Sequence, residues 1–107
     1  MKKQTFRIAK EYPLDGHKEW GVIEGYGVII PGFDEFTFFV HKAPLLPTFE
    51  TKWRISEETS GRAFPEELDR KTRQATIEAV TTFLTDKGKP FFIEVLEEAR
   101  ATNKGIK

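Results

Sequence analysis

Apolar and polar residues alternate along the first half of the chain and recur at helical spacing along the second. In residues 4–9, Phe6 and Ile8 stand two apart between polar neighbours, the period of a half-buried strand. Tyr12-Pro13-Leu14-Asp15-Gly16 then interrupts the pattern with turn residues. Residues 20–30 are rich in β-formers (Val22, Ile23, Tyr26, Val28, Ile29, Ile30) and end at Pro31-Gly32, a pair suited to a turn. Another strand is expected over 36–41, which makes 20–41 a hairpin. A second, shorter hairpin pairs 53–57 with 62–64 around Glu58-Thr59-Ser60-Gly61, where Gly61 suits a left-handed position. The segment Ala43-Pro44-Leu45-Leu46-Pro47 reads as a crossover, because each proline removes a backbone donor.

Two helices follow. Ala75, Thr76, Ala79, Val80, Phe83 and Leu84 lie at helical spacing, with Thr72 as N-cap candidate and Lys87-Gly88 as a cationic last turn and stop. The second helix begins near Pro90 and carries Phe92, Val95, Leu96 and Ala99 on one stripe. So short a connection predicts an αα-hairpin. The reading is an α+β fold: an antiparallel sheet of four to five short strands in two hairpins, followed by a C-terminal αα-hairpin packed on one sheet face.

The sheet has more apolar residues than one face uses. Alternation puts Phe36, Phe38 and Val40 on one side and Phe39 on the other, with Ile23 and Ile29 opposing Val22 and Val28. Either the proline segment and chain ends cover the second face, or it offers an apolar patch to a protein partner or a second copy, with Ile23, Ile29 and Phe39 as contact residues. Gly25-Tyr26-Gly27 matches neither G-x-G-x-x-G nor a P-loop, and reads as a bulge or a close contact between strands.

The 107 residues fit one domain, and ten phenylalanines supply large burial units. Seventeen Lys and Arg balance seventeen Asp and Glu, so only a local patch attracts nucleic acid. Cysteine is absent, which removes thiolate chemistry and Cys-based metal sites. No apolar run follows Met1-Lys2-Lys3, and no segment approaches the ~20 apolar residues of a membrane span. The expectation is a cytoplasmic protein without membrane contact or cofactor.

One charge cluster resists a purely structural reading. Arg70, Lys71 and Arg73 surround the Thr72 cap, where a helix dipole favours anions, so Arg70, Lys71, Thr72 and Arg73 form a candidate anion site. The plain alternative is compensation by Glu66, Glu67 and Asp69. Lys2, Lys3, Arg7 and Lys10 make a basic arm, and Trp20, Tyr26, Phe38 and Phe39 become stacking platforms for nucleic acid where they are exposed. His17, His41, Ser60, Glu57 and Glu58 assemble neither a triad nor a zinc motif, so no catalytic or metal residue is assigned.

Trp53, Ile55, Ser60-Gly61 and Thr72-Arg73 with Ala75 and Ile77 resemble a hairpin–helix unit of small uncharacterised bacterial and mobile-element domains. The resemblance covers about a third of the chain, implies a bacterial or phage source, and implies no activity. The functional expectation is a small non-enzymatic protein-interaction module using an exposed apolar sheet face. Its alternative is nucleic-acid or anionic-ligand binding at the basic start of the first helix.

Overall fold

A computed structural model describes residues 3–11, 18–42 and 52–103. The expected turn at 12–16 and the crossover at 43–47 lie outside them, as does His17. Strands β1 (Lys3–Glu11), β2 (Lys18–Val28), β3 (Phe38–Lys42), β4 (Trp53–Glu57) and β5 (Arg62–Ala63) form one antiparallel sheet in chain order. Helices α1 (Arg73–Lys87) and α2 (Lys89–Asn103) follow, so the α+β architecture matches the hydrophobic pattern.

Local signals set the ends of α1, the start of α2 and the β4–β5 turn, whereas β2 stops at Val28 and β3 starts at Phe38, two residues away from the expected 30 and 36. Thr72 is extended, and its hydroxyl accepts the Ala75 N–H, which caps α1. Gly88 ends α1 at φ 88°, its N–H donating to Leu84 O, and Pro90 occupies the first turn of α2. Gly61 closes the β4–β5 turn at φ 70°, as expected for a left-handed position.

One sheet face carries the main core. Phe38, Val40 and Ile55 project toward Val80 and Leu84 of α1 and Phe92 and Leu96 of α2. The connection between β2 and β3 folds over this layer, so that Phe33 and Phe36 meet the Phe92 ring edge-on at 5.7 and 4.9 Å. Thr76, fully buried, ties α1 to β4: its Oγ1 accepts the Arg70 N–H at 3.1 Å and lies 3.2 Å from Trp53 O.

The other face departs from the expectation of an exposed patch. The sheet curls until Ala9 N–H of β1 donates to Gly61 O in the β4–β5 turn at 3.0 Å. Phe39 is thereby fully buried and stacks on Phe6 of β1, with centroids 4.4 Å apart and planes 1° from parallel. It has no surface to offer a partner. Among the described residues the first strand supplies this cover; the proline segment and the chain ends expected there lie outside them.

Glycines make the contact geometrically possible. The β1–β2 register is unbroken from Lys3 opposite Tyr26 to Glu11 opposite Lys18, so Gly25-Tyr26-Gly27 holds no bulge. Gly25 and Gly27 instead leave a lane on the inner face of β2, across which rings from both neighbouring strands meet. A Cβ on Gly25 would fall 2.7 Å from Val40 O and 3.4 Å from the Phe39 ring, whereas one on Gly27 would sit 3.9 Å from the Phe6 ring. The expected outcome is that Gly25→Ala lowers stability by about 1–3 kcal/mol through overpacking. Gly27→Ala should fall within about 0.5 kcal/mol of wild type, since the added methyl meets only ordinary contact and glycine has no propensity advantage in a strand. Urea denaturation of the two variants checks this, and equal losses would contradict the lane.

Candidate functional site

The closed inner face holds a polar pair that sequence spacing did not reveal. His41 on β3 and Ser56 on β4 are both fully buried, with His41 Nε2 and Ser56 Oγ 2.8 Å apart. His41 Nδ1 lies 2.9 Å from the Lys42 carbonyl, which can only accept, so Nδ1 carries the proton and Nε2 accepts from the Ser56 hydroxyl. Such a contact polarises a serine in hydrolases. Here neither group touches solvent. Asp69, the nearby carboxylate that acts on His41 electrostatically, is held by Arg54, whose Nε and Nη2 donate to it at 2.8–3.2 Å. The pair therefore serves to satisfy polar atoms inside the curl.

The second constellation lies on the outer face where α1 begins. The backbones of Trp53 and Arg70 pair in an isolated bridge, Trp53 N–H donating to Arg70 O at 2.7 Å, which brings the start of the helix against β4. From the first position of α1, the Arg73 guanidinium lies over Tyr26 of β2, 4.3 Å from the ring centroid, and 5.6 Å from that of Trp53. The two rings are half-buried, 6.3 Å apart and tilted by 56°. Lys3, Lys42, Ile23 and Glu24 complete a cleft of about 480 Å³ around them. Three cations face one acid there, and Glu24 Oε2 stands 3.6 Å from Lys3 Nζ at an exposed rim. Further along the same face of β2, Arg7 lies 4.3 Å from the centroid of the Trp20 ring.

The anion site expected at the helix start is not assembled as a unit. Thr72 spends its hydroxyl on the cap, and the Arg70 Nη1 donates to the Glu67 and Asp69 carbonyls at 2.7 and 2.9 Å. Lys71 is exposed. Of the four, Arg73 alone enters the cleft. Compensation by the upstream acids takes a different form from the expected one: Asp69 pairs with Arg54, and backbone carbonyls, not carboxylates, hold Arg70. Among the expected partner contacts, Ile29 is 79% exposed, Ile23 is half-buried in the cleft wall, and Phe39 is buried. Phe38 is likewise core, which leaves Tyr26 and Trp20 as the aromatic residues of the sheet reading that approach solvent. Sequence reasoning overlooked Trp53 as a platform. The β3–β4 register, which the residue pattern does not carry, places it beside Lys42 and on the face of Tyr26.

Among the described residues, no group of three His, Asp or Glu side chains gathers in an arrangement fit for a metal ion. No described helix is long and apolar enough to cross a membrane. The chain matches no family model, and no curated protein or solved structure resembles it at a significant level.

Burial holds the His41 imidazole below its ordinary pKa of 6.5, with Arg54 adding to the effect and the Lys42 carbonyl and Asp69 opposing it. The unfolded chain therefore takes up the proton first, and stability declines as pH falls from about 6.5 toward the folded value. Urea midpoints measured between pH 7 and pH 5.5 should drop in wild type and drop less in His41→Gln. An identical decline in both proteins would assign the effect to other groups.

Proposed function

We propose that this protein is a non-enzymatic binder of single-stranded nucleic acid, with the cleft around Tyr26, Trp53 and Arg73 as its contact surface. One observation carries the reading: two half-buried aromatic rings lie beneath a guanidinium with lysines on both flanks, on the open part of a β-sheet face. Unstacked bases are recognised by aromatic and guanidinium planes on sheets, while cations take the phosphates. A base sliding onto Tyr26 replaces the stacked guanidinium, and the released Arg73 meets the adjacent phosphate. Lys3 and Lys42 stand where the backbone leaves the cleft on either side. The Arg7–Trp20 stack, six residues along β2 and so about 20 Å away, gives a strand a second stop on the same face. A balanced net charge fits a site whose affinity is local and stacking-led.

A second reading, docking of a protein partner, rests on Ile29 and Val22, apolar side chains 79% and 64% exposed. They do not form the continuous face that the apolar surplus implied, because Phe39 is buried by the curl and Ile23 is half-buried.

Fluorescence anisotropy of a labelled oligothymidine tests the first reading. Tyr26→Ala and Trp53→Ala should each weaken binding by about 1–3 kcal/mol, the worth of one base–aromatic stack. Arg73→Gln should weaken it and lower the salt slope by about 0.7, the value for one phosphate contact on a single strand. No binding at low salt, or binding indifferent to all three substitutions, would end the proposal.

A further inference from the structure

We infer that the groove between β5 and the αα-hairpin binds an amphipathic carboxylate, its alkyl body in the groove and its head on Arg62. The groove encloses about 410 Å³, inside the range of about 300–1,000 Å³ of small-molecule sites. Its walls are predominantly apolar, formed by Phe64, Phe83, Phe91, Val95, Leu96 and Ala99. Phe91 is 44% exposed at the mouth. Beside the groove α2 is tied to the β4–β5 turn, where the Arg100 guanidinium donates to Thr59 Oγ1 at 2.7 and 2.9 Å.

Charge selects the occupant. Arg62 stands opposite Glu57 in the register, so its side chain leaves β5 on the helix-covered face and lines the groove. Glu57 does not neutralise it. Its carboxylate is turned into the turn, accepting from Thr59 N–H, Thr59 Oγ1 and Ser60 N–H at 2.7–2.9 Å, and Arg62 makes no ion pair among the described residues. The Lys87 ammonium lies 5.9 Å from the ring centroid of Phe91, one of the lining residues. An apolar trough lined by an exposed guanidinium, with an ammonium close to one of its rings, is complementary to one negative head on an apolar chain. A peptide strand fits less well, since β5 has two residues and Pro65 soon after it has no N–H to extend a ladder.

Decanoate titrated into the full chain, followed by calorimetry and amide chemical shifts, tests this site separately from the nucleic-acid cleft. The expected result is saturable one-to-one binding, with shifts gathered at residues 62–64 and 91–96 and none at Tyr26 or Arg73. Arg62→Gln, at an exposed position, should weaken decanoate about tenfold, the loss of one charge-assisted contact. Val95→Trp should block the groove and abolish decanoate binding while leaving oligothymidine affinity unchanged. Decyltrimethylammonium binding as tightly as decanoate to the unaltered protein would overturn the proposal, as would an absence of saturation. A dimer by light scattering that Val95→Trp disperses would assign the groove to a second copy and overturn it equally.

Discussion

The stacking of Phe6 on Phe39 across a strand that carries glycine at positions 25 and 27 is the constraint from which the rest of the structure follows. Rings on β1 and β3 are separated by β2, and a side chain at Gly25 would press on the Val40 carbonyl and the Phe39 ring of β3. Without it the rings meet at van der Waals distance, and β1 is drawn over until Ala9 reaches the turn at Gly61. Burying an aromatic pair in this way contributes several kcal/mol, roughly 1.5–3 for each ring plus a smaller stacking increment. That is a large share of the stability of a chain this size.

The curl divides the polar groups as well as the apolar ones. His41 and Ser56 are sealed inside it, where each satisfies the other. Asp69, almost wholly buried, is matched by the two-pronged contact from Arg54, whose removal would strand a buried charge. The fold uses these groups as structure, each buried polar atom meeting a partner. The outer face shows the reverse. Arg73 looks misplaced at a helix start, yet it is stabilised by the faces of Tyr26 and Trp53, which offset the unfavourable dipole with a cation–π contact.

The helices cover only part of that outer face, and the two surfaces left over differ in character. Near the start of α1 the uncovered sheet is aromatic and cationic. At the far side, between β5 and α2, the uncovered space is a trough of phenylalanine and aliphatic side chains. The same αα-hairpin makes both, since its first residue supplies Arg73 while Phe83 and Leu84 of α1 and Phe91 to Ala99 of α2 wall the trough.

Periodicity, caps and turn glycines by themselves determined the element order, the β4 bounds, the Thr72 cap, the Gly88 stop and which strand residues share a face. These are legible because each depends on residues a few positions apart, through backbone geometry and local hydrogen bonds. They also placed Phe38 and Phe39 on opposite sides of β3, which the structure keeps. What covers Phe39, and what Arg73 points at, were decided by the tertiary structure alone. Both depend on register and on the curl of the sheet, which bring Phe6 to Phe39 and Tyr26, Trp53 and Arg73 to one cleft. Alternation along a strand fixes a side chain's face but carries no information about which distant strand closes over it.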